Sequence, residues 1–191
     1  MGKVTVLNHL TLDGVMQAPG RPDEDTRGGF THGGWAAPRG DAIGIAAGDR
    51  FGGALLFGRR TWEDFHSFWP NQPQPNPFSD ILNAATKYVA SRTLREPLAW
   101  QNSILLDGDA ENAVGRLKAE TDLLVMGSGE LIQALLRRGL VDEFILMIHP
   151  IVLGTGRSLF PDNGAPVELS LVETRATDTG VIVATYRAVP A

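Results

Sequence analysis

The chain has 191 residues and a net charge of -5, which fits a single globular domain. The absence of cysteine excludes disulfides, thiolate metal sites and cysteine nucleophiles. The negative charge argues against a nucleic-acid-binding protein, although a local group of arginines could still bind a phosphorylated ligand. No apolar run is long enough to cross a bilayer and no signal-peptide core is visible, so we expect a cytoplasmic protein without a membrane partner.

The N-terminal part alternates regular and irregular segments. Lys3–Leu12 has the apolar alternation of a strand. Asp13–Arg39 is rich in glycine and proline and predicts a long loop, which could close over a substrate as a lid. Asp41–Phe51 could form a short helix, although Gly44 and Gly48 weaken it.

The middle of the chain alternates short apolar strands with helices. The predicted strands are Ala54–Phe57, Thr86–Ala90, Ser103–Leu106 and Leu123–Met126. The predicted helices are Arg59–Phe68, Phe78–Ala85, Asp109–Glu120 with Asp109 as N-cap, and Glu130–Arg138 with Gly139 as C-cap. The segment Trp69–Pro77 contains four prolines and predicts a loop.

The C-terminal part is rich in strands. Phe144–Ile148 is an apolar strand, Ile151–Asn163 is a glycine-rich loop, and Val167–Thr174 and Val181–Ala188 form a hairpin around Thr179-Gly180. Strands alternating with helices and followed by a hairpin predict an α/β fold, with a mixed sheet flanked by helices, in one domain over residues 1–191.

One buried strand ends at Gly58, and a helix starts at once with Arg59, Arg60 and Thr61. The N–H groups and the dipole of a helix start form a phosphate site, and arginine is the usual partner of an adenosine 2′-phosphate. The alternative is an ordinary helix start with two solvated arginines.

A second buried strand runs into Gly127-Ser128-Gly129 and then a helix. This turn lacks the third glycine of the full dinucleotide fingerprint, because Ile132 stands there. Two such turns in one chain nevertheless favour one shared anionic ligand. A third strand ends at Ser91 and Arg92, which could flank the same phosphate or ribose.

These segments resemble a known superfamily. Phe57-Gly58-Arg59-Arg60-Thr61-Trp62-Glu63 is similar to a turn of dihydrofolate reductases, and Val89-Ala90-Ser91-Arg92 resembles the strand that follows it there. Val125-Met126-Gly127-Ser128-Gly129 resembles the turn that cradles the pyrophosphate. Leu10–Val15 and His149–Gly156 are more similar to the C-terminal reductase domain of the bifunctional riboflavin-biosynthesis deaminase/reductase and its stand-alone relatives.

The resemblance implies a mainly parallel eight-stranded sheet with an antiparallel C-terminal hairpin, NADPH as the hydride donor, and a homodimer. Carried over by position, it implies that the cofactor is held by Gly58, Arg59, Arg60, Thr61, Ser91, Arg92, Gly127, Ser128 and Gly129. It also implies that the nicotinamide lies near Asn8, His9 and the Asp13 loop.

The substrate side is less defined. Asp13 and Asp41 are the candidate catalytic carboxylates, although Asp41 could instead be a helix cap. Met16, Trp35 and Met147 would give an apolar wall suited to a flat ring. Met147 stands where dihydrofolate reductases use a threonine, so we expect dihydrofolate to be a poor substrate.

The remaining candidates are histidines, and none of them forms a metal-ligand spacing on one element, so no metal is expected. His149 precedes a proline and is more simply explained as structural than as catalytic, while His9 lies on the first strand and could approach the cofactor. Two functions remain open: an NADPH-dependent oxidoreductase acting on a small heterocycle or carbonyl compound, and an NADPH-binding protein without turnover. Steady NADPH oxidation would separate them.

Overall fold

The computed structural model describes residues 2–47, 50–160 and 164–189. The strands are β1 (Val4–Thr11), β2 (Ala54–Gly58), β3 (Lys87–Ala90), β4 (Ser103–Leu105), β5 (Leu123–Met126), β6 (Glu143–His149), β7 (Leu169–Ala176) and β8 (Ile182–Ala188). The helices are α1 (Ala42–Ala47), α2 (Arg59–Phe68), α3 (Pro77–Ala84), α4 (Ala110–Leu117) and α5 (Gly129–Arg137).

The strands form one eight-stranded mixed sheet in the order β4-β3-β2-β5-β1-β6-β8-β7. The pairs β1–β6, β2–β3, β2–β5 and β3–β4 are parallel, whereas β8 is antiparallel to both β6 and β7. The predicted fold class is therefore confirmed. The predicted segments Asp41–Phe51 and Ile151–Asn163 extend onto residues outside the described ranges, and the single domain over 1–191 stays a prediction.

The chain groups into two compact units, which we describe separately. Unit 1 comprises Met1–Val4 and Asp49–Leu140, and unit 2 comprises Thr5–Gly48 and Val141–Ala191. In unit 1, the apolar strands β2 and β5 are buried along their whole apolar length, and amphipathic helices such as α5 pack Ile132 and Leu135 beneath them. A strand buried on both faces reads as a continuous apolar run, which is why Leu55-Leu56-Phe57 and Leu123–Met126 show no alternation.

Helix ends in unit 1 are satisfied by side chains and by turns. The Asn76 side chain accepts from the amide of Ser79 at 3.0 Å, and the predicted N-cap Asp109 accepts from the amide of Asn112 at 3.2 Å. At the other end of α5, Gly139 adopts a φ of +63° while the amides of Gly139 and Leu140 bond to the carbonyls of Leu136 and Leu135. This is the Schellman arrangement that a glycine just after a helix favours.

Lys87 is a buried cation that sequence reading did not single out. Its side chain is fully buried, and its Nζ donates to the carbonyls of Leu82, Asn83 and Ala85 at 2.8, 3.3 and 2.7 Å. The Nζ also lies 4.6 Å from the centroid of the Trp100 ring. Burial lowers the Lys87 pKa to about 8. The ammonium closes the C-terminal end of α3, because the last carbonyls of a helix lack partners inside it.

In unit 2, the predicted long loop is packed rather than loose. Residues Val15, Ala18, Phe30, Trp35 and Ala36 form a small core against which Ile151 and Leu153 pack. The buried Gln17 side chain donates to the carbonyls of Asp25 and Arg27 and accepts from the amide of Arg157. Apolar burial and the internally bonded Gln17 amide stabilise this arrangement of the loop, and its role as a lid over a substrate stays a prediction.

Candidate functional site

Strands β2 and β5 are parallel neighbours, with Leu55 opposite Leu124 and Leu56 opposite Val125. Each strand runs directly into a helix, so the starts of α2 and α5 lie at the same edge of the sheet. Helix starts carry N–H groups without acceptors inside the helix and a partial positive charge. The two predicted glycine turns are therefore brought together at the carboxyl ends of adjacent strands.

The start of α2 has no side-chain cap. Its N-cap is Gly58, in extended conformation with φ -76° and ψ 157°. A Cβ at Gly58 would meet only Ser128 and Leu131, at 3.7 Å or more, so space alone does not require glycine here. Its lack of a side chain matters in another way, because any residue with a capping oxygen would occupy the first-turn amides.

The start of α5 is built from two successive left-handed residues. Gly127 has a φ of 58°, and Ser128, the N-cap, has a φ of 53° and a ψ of 41°. A Cβ at Gly127 would lie 2.9 Å from Cγ2 of Thr61, so glycine is required by both conformation and space. Serine is disfavoured in the left-handed region, so its presence at 128 needs a compensating interaction.

Two hydrogen bonds join the turns. The amide of Gly58 donates to Oγ of Ser128 at 2.9 Å, and the amide of Ser128 donates to Oγ1 of Thr61 at 3.0 Å. The Ser128 hydroxyl in turn donates to the carbonyl of Met126 at 3.1 Å. Neither N-cap residue caps its helix with a side chain, because Gly58 has none and the Ser128 hydroxyl bonds across the turns.

The basic side chains stand beside these turns. Arg59 is half-buried at the start of α2, and Arg60 is 3.3 Å from the Glu130 carboxylate in a pair whose side chains are both more than half exposed. An exposed pair of this kind contributes little, so the Arg60 guanidinium remains available to a phosphate. The predicted positions Gly58–Thr61 and Gly127–Gly129 thus lie together around two helix starts.

The third predicted element is the end of β3. Ala90 is opposite Gly58 in the β2–β3 register, so Ser91 and Arg92 follow immediately beside the Gly58 turn. The Ser91 hydroxyl accepts from the amides of Thr93 and Leu94 at 3.1 and 3.0 Å, and Arg92 is exposed. The Ser91 oxygen therefore shapes its own loop, and contact of Ser91 or Arg92 with a cofactor stays a prediction.

The first predicted catalytic carboxylate, Asp13, lies in unit 2 and is exposed. It accepts from the Thr11 hydroxyl at 2.5 Å, from the amide of Gly154 at 2.7 Å and from the amide of Leu153 at 3.2 Å. The Thr11 hydroxyl, followed by the Gly154 amide, lowers the Asp13 pKa. Through these bonds Asp13 links its own loop to the loop at Leu153 and Gly154. Because the donors stabilise the anion, Asp13 is a poor proton donor at neutral pH.

The second, Asp41, is also exposed and accepts from the Thr179 hydroxyl at 2.7 Å. That bond is the largest influence lowering the Asp41 pKa. The hairpin turn Thr179-Gly180 is thereby hydrogen-bonded to Asp41, the residue before α1. The bond to Thr179 is a structural contact but not a helix cap, so both the cap that the sequence left open and the catalytic role of Asp41 stay predictions.

The predicted substrate wall lies mostly inside the core of unit 2. Met147 is 1% exposed, and Trp35 is 6% exposed with its Nε1 donating to the carbonyl of Gln17 at 2.8 Å. Met16 is half-buried, and its amide donates to the carbonyl of Arg157 at 2.9 Å. Packing explains Trp35 and Met147 fully, and contact with a substrate stays a prediction for all three.

A histidine pair, with His149 buried and His9 partly buried, is the feature of unit 2 that the sequence did not reveal. Nδ1 of His9 lies 2.9 Å from Nε2 of His149, and the Trp35 ring packs edge-on against His149. Burial lowers the pKa of His9 to about 3 and that of His149 to about 4. Arg39 lowers the His149 pKa further, whereas Asp41 opposes it. Both rings are therefore neutral at physiological pH.

One atom of this pair is unsatisfied. Nδ1 of His149 is buried without a hydrogen-bond partner. An unpaired lone pair is tolerated better than an unpaired N–H, so we assign the His149 proton to Nε2, from which it donates to Nδ1 of His9. The signal for this pair is weak in sequence, since residues 140 positions apart meet only once the β1–β6 register sets Thr11 opposite His149.

Among the described residues, no group of three or more histidines, aspartates or glutamates could hold a metal ion. In the same residues, no helix is long and apolar enough to cross a membrane.

Comparison with known proteins gives the same picture of the fold. The chain is 32% identical over 137 residues to the uncharacterized protein YyaP of Bacillus subtilis (strain 168), which covers 69% of this chain and 72% of that protein. A putative riboflavin biosynthesis protein from Shewanella sp. PV-4 superposes with a TM-score of 0.73 and 22% identity, over 98% of this chain and 99% of the other.

Two further solved structures share the fold at lower identity. A pyrimidine reductase-like protein from Corynebacterium diphtheriae matches with a TM-score of 0.64 and 12% identity, covering 100% of this chain and 93% of the other. RibD from Acinetobacter baumannii matches with a TM-score of 0.63 and 16% identity, and this chain spans 58% of its length. The family model described as the RibD C-terminal domain matches residues 2–183. The chain belongs to the RibD C-terminal domain family.

Proposed function

We propose that this protein is an NADPH-dependent reductase. The observation that carries the proposal is the pair of helix starts without side-chain caps, α2 and α5, at the ends of two adjacent parallel strands in unit 1. A dinucleotide carries several phosphate groups, and each helix start is suited to one of them. Membership of a reductase family supports this choice over another phosphorylated ligand.

The preference for NADPH over NADH is argued from arginine. Arg59 and Arg60 stand at the start of α2, and Arg92 follows β3 beside the same turn. A guanidinium matches the geometry of a phosphate group and forms charge-assisted hydrogen bonds to it. We assign these three side chains to the 2′-phosphate, with Gly58 and Thr61 shaping that turn and Gly127, Ser128 and Gly129 shaping the turn for the pyrophosphate.

The reaction is the reduction of a small heterocycle or carbonyl compound. The bound cofactor supplies the hydride, and the chain holds and orients the reactants. A proton must accompany the hydride. Because hydrogen bonds hold Asp13 and Asp41 as carboxylates, we favour water as the proton source over either residue.

The test is NADPH oxidation in the presence of 5-amino-6-(5-phosphoribosylamino)uracil and a panel of pyrimidines, pterins and small carbonyl compounds. Steady oxidation that depends on one of these compounds supports the reductase. Tight NADPH binding with no oxidation by any compound supports the alternative of a binding protein without turnover. No binding of NADPH contradicts both.

Dihydrofolate is expected to be a poor member of that panel. Met147 offers no hydroxyl where dihydrofolate reductases use threonine, and it is buried. An unpaired polar ring atom costs roughly 1–3 kcal/mol, or about one to two orders of magnitude in affinity. A specificity constant for dihydrofolate of about 10⁶ M⁻¹s⁻¹ or more would contradict this.

We also propose a homodimer. β7 is an edge strand of the sheet, and its Leu171 and Val172 are 56% and 50% exposed. Exposed apolar edge strands favour pairing with another strand, and a second copy covers the same edge symmetrically.

Light scattering should give about twice 20.6 kDa, the mass of one chain. Leu171→Glu with Val172→Glu should give the monomer, whereas Val152→Glu, an exposed control site outside β7, should not. A monomeric mass for the unaltered protein refutes the dimer.

A further inference from the structure

Ser128 pairs an unfavourable conformation with an unusual use of its hydroxyl. Among the described residues, only Ala18, Asn102 and Ser128 are non-glycine residues with positive φ. Its neighbours Gly127 and Gly129 show that glycine is accepted on both sides in this turn. A serine kept where glycine would relieve strain indicates that the hydroxyl performs a function.

That function is not the usual one of a serine at a helix start. An N-cap serine normally accepts from an amide in the first turn of its own helix. Here the hydroxyl accepts from the amide of Gly58 and donates to the carbonyl of Met126, so neither of these bonds is made to an amide of α5. The first turn of α5 consequently has no side-chain cap.

A second hydrogen bond between the two turns has its donor on the α5 side and its acceptor on the α2 side. The amide of Ser128 donates to Oγ1 of Thr61, which lies in the first turn of α2. The contact of Thr61 Cγ2 with the Gly127 position leaves no room for another side chain between the turns. Two reciprocal bonds therefore fix the start of α2 against the start of α5.

We propose that Ser128 and Thr61 act as a clasp, a pair of positioning residues that sets the separation of the two helix starts to suit the phosphates of one dinucleotide. This inference rests on the proposed NADPH binding. The Thr61 oxygen then serves as an acceptor within the protein. A ligand that engages both helix starts depends on the clasp, whereas a ligand that engages one of them does not.

The experiment measures dissociation constants for NADPH and for adenosine 2′-monophosphate, which can occupy only one helix start. Ser128→Gly and Thr61→Val should each weaken NADPH about tenfold, or about 1.4 kcal/mol, and leave adenosine 2′-monophosphate within twofold. Thr61→Ser, which keeps the hydroxyl, should restore NADPH affinity. Asn76→Ala removes the cap of α3 and controls for general loss of stability, so its NADPH affinity should be unchanged.

Three results overturn the clasp alone. The first is an NADPH affinity of Ser128→Gly within twofold of the unaltered protein, and the second is equal weakening of NADPH and adenosine 2′-monophosphate. Loss of NADPH affinity in Asn76→Ala equal to that in Ser128→Gly also overturns it, because stability would then explain both. If the unaltered protein does not bind NADPH, the proposed function fails and the clasp fails with it.

Discussion

The polar groups of the candidate cofactor site in unit 1 and those of the candidate catalytic site in unit 2 are arranged in opposite ways. Around Gly58 and Ser128, two helix starts have no side-chain cap, although α3 and α4 in the same unit are capped by Asn76 and Asp109. In unit 2, Asp13 accepts from three donors of the protein itself, and Gln17 has its whole amide bonded internally.

Folding favours internal satisfaction, because a polar group left without a partner costs about 1–3 kcal/mol when it is buried. Helix starts whose N-cap residue supplies no capping oxygen, in a unit where other helix starts are capped, are those best suited to a ligand. The difference therefore favours the predicted cofactor residues over the predicted catalytic carboxylates. Variants that cap a helix start of the candidate cofactor site, or remove a bonded side chain elsewhere, test this difference.

The largest effect is expected from closing an open helix start. Gly58→Asp places a capping carboxylate at α2, where it would occupy the first-turn amides and repel a phosphate. NADPH should bind at least about 100-fold more weakly, or about 2.7 kcal/mol, with stability unchanged or a few tenths of a kcal/mol higher. Calorimetric titration and thermal unfolding give the two values. Gly58→Ala adds the Cβ without the cap and should retain NADPH; equal loss in both variants would mean that space, not capping, explains the effect.

The second largest effect on NADPH binding is expected from removing the arginines at the start of α2. Arg59→Ala with Arg60→Ala should weaken NADPH by about one to two orders of magnitude, since charge-assisted hydrogen bonds are worth about 1.5–3 kcal/mol. NADH lacks the 2′-phosphate and should change by less than about threefold. The ratio of the two dissociation constants is the measurement. A parallel loss for both cofactors would place the arginines at the pyrophosphate instead of the 2′-phosphate.

The His9–His149 pair in unit 2 predicts that the free energy of unfolding depends on pH. Since the folded-state pKa values of about 3 and 4 lie below the unfolded value of 6.5, the unfolded chain binds protons first as pH falls. The contribution of the two neutral histidines to the free energy of unfolding is thus fully present above pH 6.5. It is lost as the pH falls below 6.5, by about 1.4 kcal/mol per pH unit for each histidine. Denaturant unfolding between pH 6.5 and 5 avoids the carboxylates. The double variant His9→Leu with His149→Phe should abolish most of this slope; an unchanged slope would show that other groups cause it.

A variant at Asp13 tests whether a carboxylate that accepts its hydrogen bonds from the protein itself is structural. Asp13→Ala should lower stability by about 1 kcal/mol, because three donors lose their acceptor at an exposed site. NADPH oxidation, with a compound found to be reduced, should fall less than about tenfold. A general acid contributes about 10² to 10⁴, so a fall of that size with unchanged stability would assign the proton transfer to Asp13.

The smallest effect is expected from opening a closed helix start. Asp109→Ala removes the cap of α4 and should cost about 1 kcal/mol of unfolding free energy. NADPH affinity should not change, because this helix start has no part in the proposed site. A weakened affinity here would mean that capping affects binding through stability in general.

Much of this organisation was predictable from local signals. Apolar runs ending in glycine gave β2 and β5, Asp109 was recognised as an N-cap, and Thr179-Gly180 gave the hairpin, because each depends on neighbouring residues only. The two glycine turns that we propose for the cofactor were recognised for the same reason.

Features made by distant partners were not predictable. The His9–His149 pair needs the β1–β6 register, and the clasp needs Thr61 to meet Ser128 from 67 positions away. The Asp13–Arg39 segment looked loose because its apolar residues follow no period, yet they pack into their own core with Ile151 and Leu153. Lys87 is the first residue of β3, and only the fold places its ammonium at the C-terminal end of α3.

Backbone amide NMR during titration with NADPH tests the central claim most directly, because it reports on the helix starts themselves. The largest shift changes should fall on the first turns of α2 and α5, at residues 59–61 and 129–131, while the capped starts of α3 and α4 change little. Saturable binding with changes centred on α3 or α4, or absent from the starts of α2 and α5, would contradict the account.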